Sequence, residues 1–280
     1  MNFGGSEVVY GYDDSEIIIA PVPYDATSTW MKGADKGPDA LLEASVNLEF
    51  YDIETDSEVH KHGIHTIDPI LEESSPEALV DAVYRQSLSL IKEGKFQVLI
   101  GGNHTVSIGS IKAFSESFDN LTILQLDAHS DFRQEYEGSK YNHACVMARA
   151  AECSPVVQVG IRSMAAEELE SIDLNRVFFA HKLHYDKTLY DKATDMLSDN
   201  VYITIDLDVL DPSIMPSTGT PEPGGLDYFE LTRFLSQVAS KKNIVGFDVV
   251  ELCPSKVNKG PDFVAAKLVY QLLSYIYKGK

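Results

Sequence analysis

Seven short runs of β-branched and aliphatic residues punctuate the sequence, at 17–20, 96–100, 121–126, 156–161, 177–179, 201–205 and 244–250. Helical stretches separate several of them. A strand with one wet face alternates apolar and polar residues, whereas a strand covered on both faces does not. Apolar runs joined by helices therefore predict an α/β fold, a mostly parallel sheet with helices on both faces. Three helices are legible. Ser74 with Glu77 predicts a capping box, Pro76 suits the first turn, and Leu79, Ala82, Val83 and Leu90 share one face before Gly94 ends the helix. Asp227 with Glu230 starts a second, running to about Ser240. A third follows Pro261 and carries Val264, Leu268 and Leu272 on one side. No repeat, low-complexity tract or linker divides the chain, so residues 1–280 are read as one domain.

Sheets of this kind bind ligands in the crevice beyond the carboxyl ends of their strands. After the run at 96–100 comes GGNH, with His104. After 121–126 comes DAHSD, with Asp127, His129 and Asp131. After 201–205 comes DLDVLDP, with Asp206, Asp208 and Asp211; after 244–250 comes Glu251. In extended chain, side chains alternate, so Asp127, His129 and Asp131 point the same way, and Asp206 and Asp208 repeat the pattern. Buried carboxylates crowded together repel unless they are protonated or share a cation. At one strand end such residues read equally well as helix caps beside a surface histidine. Four strand ends on one rim point to metal.

The charge of Asp127, Asp131, Asp206 and Asp208 suggests the number of ions. One divalent cation leaves about −2 in the crevice, and two neutralise it. Four carboxylates with two imidazoles form an oxygen-rich set suited to Mn²⁺, and paired metals can activate a water as nucleophile. GGNH reads otherwise as a tight turn whose glycines supply positive φ; it is no phosphate loop, because no Lys-Ser/Thr follows. Asp211-Pro212 reads as a turn. Two further histidine groups are read as structural or surface residues: His60, His62 and His65 in a polar connecting segment, and His181 with His184 after a strand that ends without an acid.

Composition narrows the partners. With 23 Lys and Arg against 43 Asp and Glu, the net charge of −20 disfavours nucleic acid, whose phosphates need a basic face. It favours small cationic molecules near the surface. No apolar stretch approaches the ~20 residues of a membrane span. The N-terminus reads as lacking a signal peptide. Cys145, Cys153 and Cys253 form no CxxC pair and no disulfide framework, which fits a reducing cytoplasm.

Taken in order, GGNH, DAHSD, DLDVLDP and FDVVE closely resemble the ureohydrolase family of arginases and agmatinases. PVPYDATST, GPDALL and PDFVAAKL extend the resemblance over nearly the whole chain. The resemblance implies a three-layer α/β/α fold with an eight-stranded sheet, as in arginases and deacetylases, and a binuclear manganese centre. His104, Asp127, Asp131 and Asp206 would hold one ion. Asp127, His129, Asp206 and Asp208 would hold the other, with Asp127 and Asp206 bridging. His143 would shuttle protons, Glu251 would pair with the guanidinium of the substrate, and Asp131 would relay a proton to the leaving amine. The family hydrolyses a guanidino group to urea and an amine, and usually forms trimers or hexamers. One departure is Asn103, where the family usually has Asp. It removes a negative charge beside the first site and leaves a non-catalytic metal-binding protein as the alternative. A deacetylase-type single-zinc site is disfavoured by the complete second set.

The expected substrate is agmatine, cleaved to urea and putrescine in polyamine biosynthesis. Arginine adds an α-carboxylate, which needs neutral or cationic donors to receive it. In the loop 132–145, Glu135 and Glu137 would repel that carboxylate and tolerate a cationic tail. Arg133, Lys140, Ser139 and Asn142 are the residues that argue the other way. Aminopropylagmatine, guanidinobutyrate and arginine are the alternatives.

Overall fold

Every strand in the computed structural model, which describes residues 1–279, belongs to one sheet of eight. The strands are β1 (Ile17–Val22), β2 (Ile64–Thr66), β3 (Phe96–Gly101), β4 (Leu121–Leu126), β5 (Val156–Ile161), β6 (Val177–Phe179), β7 (Asn200–Asp206) and β8 (Asn243–Val250). They lie in the order β2-β1-β3-β8-β7-β4-β5-β6, and each neighbouring pair is parallel. The seven apolar runs are all strands, some longer by one or two residues. The edge strand β2 is the addition. Its three residues, Ile-His-Thr, pair only with β1 and, unlike Val-Phe-Phe of β6, form no apolar run from which to read it.

Among the described residues seven helices lie between strands, α1 (Gly37–Ser45), α2 (Pro76–Lys92), α3 (Ser107–Ser117), α4 (Val146–Ala151), α5 (Ala180–Tyr185), α6 (Leu189–Asp195) and α7 (Tyr228–Lys241), and α8 (Gly260–Ile276) follows the last strand. Helices α1, α7 and α8 pack together, and so do α2, α3 and α4. Strand β4 shows that the two groups cover opposite faces. Its Leu124 and Leu126 join the apolar cluster of α1, α7 and α8, while Leu121 and Ile123 join that of α3 and α4. The architecture is α/β/α. The cap of α2 is Ser75, whose hydroxyl accepts the Ala78 N–H; Ser74 bonds Glu72 instead. The expected box at Asp227 and Glu230 is present in both directions. The three cysteines are free, and no helix among the described residues is long and apolar enough to cross a membrane.

This strand order decides the rest. It sets β3, β8, β7 and β4 side by side at the centre of the sheet. Their carboxyl ends are the four that run into His104, Glu251, Asp206 and Asp127.

Candidate metal centre

Backbone N–H groups fix one oxygen of three of the acids beyond these strands. Asp127 Oδ1 accepts the His129 N–H at 2.6 Å. Asp206 Oδ1 accepts the Asp208 N–H at 2.8 Å, and Asp208 Oδ1 accepts the Ala128 N–H at 3.0 Å. The carboxylates face two imidazoles. His104 Nδ1 lies 3.2 Å from Asp127 Oδ2, 3.0 Å from Asp131 Oδ2 and 3.7 Å from Asp206 Oδ2. His129 Nδ1 lies 2.9 Å from Asp208 Oδ2 and 3.7 Å from Asp127 Oδ1. Two ligand clusters result: His104 with Asp127 and Asp206, and Asp127 with His129 and Asp208. Asp127 is common to both.

The donor chemistry fits a pair of divalent cations. Four carboxylates, each less than a tenth exposed, converge on one crevice. Burial and the charges of Asp208 and Asp127 push Asp206 well above the ordinary carboxylate range. His129 goes the other way: burial opposes its charge, but Asp208 and Asp127 raise its pKa to about 12. His104 Nδ1 is buried among three carboxylates and makes no hydrogen bond. Its Nε2 meets the Thr204 hydroxyl at 2.9 Å, and that hydroxyl donates to Asp248 Oδ1 at 2.6 Å. The single hydroxyl proton is thus committed, so His104 must donate from Nε2. Asp127 and Asp131 raise the His104 pKa well above the ordinary value, so a proton occupies Nδ1 here; a cation in its place would meet the Nδ1 lone pair, as a ligand requires.

Beneath the cluster runs a row of polar side chains that the strand runs conceal. Gln158, Gln125, Thr204 and Asp248 occupy matched register positions on β5, β4, β7 and β8. All are at most 1% exposed. Gln158 Nε2 donates to Gln125 Oε1 and to the Ser130 carbonyl, and Gln125 Nε2 donates to Asp127 Oδ2 at 2.7 Å. Tyr202 donates to Asp248 Oδ2 at 2.8 Å. Nearby, buried Glu168 accepts the Ser130 hydroxyl and the Phe132 N–H, bracketing Asp131. The signal for these residues was a lone polar side chain inside an otherwise apolar buried strand, which is rare without a partner.

Two site carboxylates stand on left-handed backbone, Asp131 at φ 51° and Glu251 at φ 68°. For residues with a Cβ this conformation costs about 1–3 kcal/mol and needs external restraint. The Asp131 carbonyl is tied to the N–H groups of Met147 and Ala148, and the Glu251 N–H donates to the Gly102 carbonyl at 2.7 Å. Burial raises Asp131 to about 7 and Glu251 to about 8. Glu251 Oε1 accepts the His104 N–H at 2.7 Å. A cavity of about 110 Å³ lies over the cluster, lined by His104, His129, Asp131, His143, Asp206 and Glu251 among others. His143 sits on a 3₁₀ turn capped by Asn142, with Nδ1 buried and unbonded; burial lowers its pKa to about 4, so it is neutral near pH 7.

Several expectations change at the periphery. Gly101 and Gly102 have no positive φ. They are required by crowding, since a Cβ on Gly102 would lie 2.0 Å from the Tyr24 carbonyl oxygen. Asn103 turns from the metal cluster: Nδ2 donates to the Thr27 hydroxyl at 2.7 Å and to Ser28 at 3.1 Å, tethering the loop that lines the cavity. Glu135 and Glu137 do not line the cavity. The nearby acid is Glu222, 4.0 Å from His129 Nε2. Arg133 is engaged with Glu167 and stacks over Tyr136, while Ser139 and Asn142 cap local turns. Among the described residues no lysine or arginine lines the cavity. Asp211 anchors a turn through Ser213, Gly224 and Gly225. His181 and His184 are exposed on α5.

Comparison with known proteins gives the family and the fold. The model of the arginase family matches residues 15–274. The N(1)-aminopropylagmatine ureohydrolase of Synechocystis sp. is 36% identical, with 96% of this chain and 92% of that protein covered. The protein of the same name from Thermus thermophilus is 36% identical over 94% and 90%. Among solved structures, the agmatine ureohydrolase of Thermoplasma volcanium superposes with a TM-score of 0.89 at 32% identity, covering 99% of this chain and 94% of that one.

Proposed function

The chain belongs to the arginase family, and from that premise we propose that it hydrolyses the guanidino group of an amine-tailed substrate to urea and the free amine. Agmatine, giving putrescine, and N(1)-aminopropylagmatine are the two candidates. The second draws on the relatives that carry that name in Synechocystis and Thermus. The observation that supports the cationic-tail reading is the cavity lining, which among the described residues holds carboxylates, imidazoles and the hydroxyls of Ser28, Thr29 and Thr220, but no lysine or arginine to pair with a substrate carboxylate.

In this reading His104, Asp127, Asp131 and Asp206 would hold one Mn²⁺, and Asp127, His129, Asp206 and Asp208 would hold the other. The bound pair supplies the Lewis acidity that makes water nucleophilic near neutral pH. Glu251 receives the guanidinium: its Oε1 is fixed by the His104 N–H, and its side chain lines the cavity. Water adds to the guanidinium carbon, the bond to the alkyl-bearing nitrogen breaks, and the amine leaves with a proton. Asp131, which lines the cavity beside the metal ligands, would take a proton from the attacking water and pass it to the leaving amine. His143, neutral with an unbonded Nδ1, can carry protons between the site and solvent. The chain acts as one catalytic unit, in the cytoplasm, as a homo-oligomer of three or six copies.

The test is urea release with added manganese from agmatine, N(1)-aminopropylagmatine, guanidinobutyrate and arginine. One of the two amine-tailed compounds should give the highest kcat/KM. A tenfold advantage for arginine or guanidinobutyrate refutes the reading.

A further inference from the structure

The cavity mouth holds a feature that the hydrolysis itself does not use. Trp30, the only tryptophan, is 69% exposed there, next to Met31 at 37%. A single exposed apolar residue is ordinary. This one, however, is presented by a tied loop. Asn103 donates to Thr27 and Ser28, Asp25 accepts the Gly33 N–H at 2.7 Å, and the Lys32 ammonium donates to the carbonyls of Asp25 and Ala26. Lys32 thereby has its charge occupied on the loop's own backbone.

The loop is also close to the reacting end. A Cβ built on Gly219 would lie 3.4 Å from Glu251 Oε2 and 3.7 Å from the Met31 carbonyl oxygen. One glycine therefore separates the carboxylate proposed for the guanidinium from the mouth loop. A tail leaving Glu251 past Gly219 reaches Met31 and Trp30. Apolar Met31 suits methylenes, and the face of an indole attracts a cation.

We infer that Trp30 is a specificity-determining residue, its indole receiving the distal ammonium of the substrate tail and favouring the aminopropyl-extended amine over agmatine. The inference rests on the guanidino-hydrolase reading and adds the recognition element for the tail. Agmatine carries its ammonium four methylenes from the guanidino group, so much of it is spent inside the cavity. The extended amine places a further ammonium beyond the mouth, where the aromatic face is.

Trp30→Leu and Trp30→Phe test it in the manganese-loaded protein, with thermal melts to verify folding. In Trp30→Leu, kcat/KM for N(1)-aminopropylagmatine should fall about three- to thirty-fold through KM, with kcat little changed. Agmatine should lose less and guanidinobutyrate nothing; Trp30→Phe should retain most of the preference. Because Trp30 is the only tryptophan, its fluorescence is a second readout. Spermidine, which has the extended tail and no guanidino group, should change the emission at lower concentration than putrescine. Equal losses for all three substrates, or emission unmoved by spermidine, would overturn the inference. If the unaltered protein releases urea from none of these compounds, the parent reading falls, and the spermidine titration still decides whether the mouth binds an amine tail.

Discussion

Two histidine-rich regions of this chain meet opposite neighbours. His60, His62 and His65 lie between and within the first elements of the sheet edge, against aromatic rings. His60 packs 4.9 Å from the Phe50 ring, His62 packs 4.7 Å from Tyr277, and His65 stands edge-on to Tyr12 with Nδ1 3.1 Å from the Tyr10 carbonyl. Glu16, 3.6 Å from His62, is largely exposed. His104 and His129 instead face carboxylates that are buried and supported from behind. The spacing of VHKHGIH is denser than that of the central set, which draws on separate strands. Density of histidines in sequence is thus a poor guide. Convergence of buried acids is the informative property, because burial makes those acids costly without a cation.

The largest effects should come from breaking the central region. Asp206→Asn and His129→Ala should each lower urea release by about two to four decades, the range expected when one partner of a buried charged set is removed. His62→Ala should leave activity unchanged. Asp206→Asn also relieves repulsion from Asp208 and Asp127. Without added metal it should therefore melt no lower than the unaltered protein, while the rise in Tm on adding manganese disappears. Equal activity losses in His62→Ala and His129→Ala would erase the distinction between the regions.

Glu251→Gln should cost less, because a charge-assisted contact is lost while the metal ligands stay. A drop of about 1.5–3 kcal/mol in transition-state stabilisation, one to two decades in kcat/KM, is expected. Unchanged kinetics would remove Glu251 from the site.

Thr204→Val sharpens the comparison from beneath. It keeps volume but removes the hydroxyl that orients His104, so manganese affinity should weaken roughly ten- to a hundredfold, read by metal titration with fold checked by circular dichroism. A variant with unchanged affinity would show that packing alone orients the ring.

The smallest effect per unit change is with pH. The folded pKa of His129, about 12, lies above its unfolded value near 6.5. Its proton-linked stabilisation is therefore full below about 6.5 and is lost as pH rises toward 12. A cation replaces that proton, so manganese should bind more tightly as pH rises, by up to about tenfold per unit per proton released. Calorimetry in buffers of different ionisation enthalpy measures the release; an affinity that falls with rising pH would contradict it.

Much of this was readable without coordinates, because it is local. An apolar run buried on both faces is a statement about consecutive residues, and so is the alternation that turns Asp127, His129 and Asp131 the same way. The seven strands other than β2, the helix caps at Asp227 and Glu230, and the list of acid-bearing strand ends all follow from such neighbourhoods. What tertiary structure alone decided concerns residues distant in the chain. Strand order made β3, β8, β7 and β4 neighbours, so His104 came within 3.0–3.7 Å of Asp127, Asp131 and Asp206. Register aligned Gln158, Gln125, Thr204 and Asp248 into one polar row. Each looks like an isolated lapse in an apolar strand, and only inter-strand hydrogen bonding, which sequence does not encode locally, shows that they answer one another. The same holds at the mouth. Asn103 read as a missing charge beside a metal; in the fold it is a donor to Thr27 and Ser28, because the end of β3 packs against the segment leaving β1.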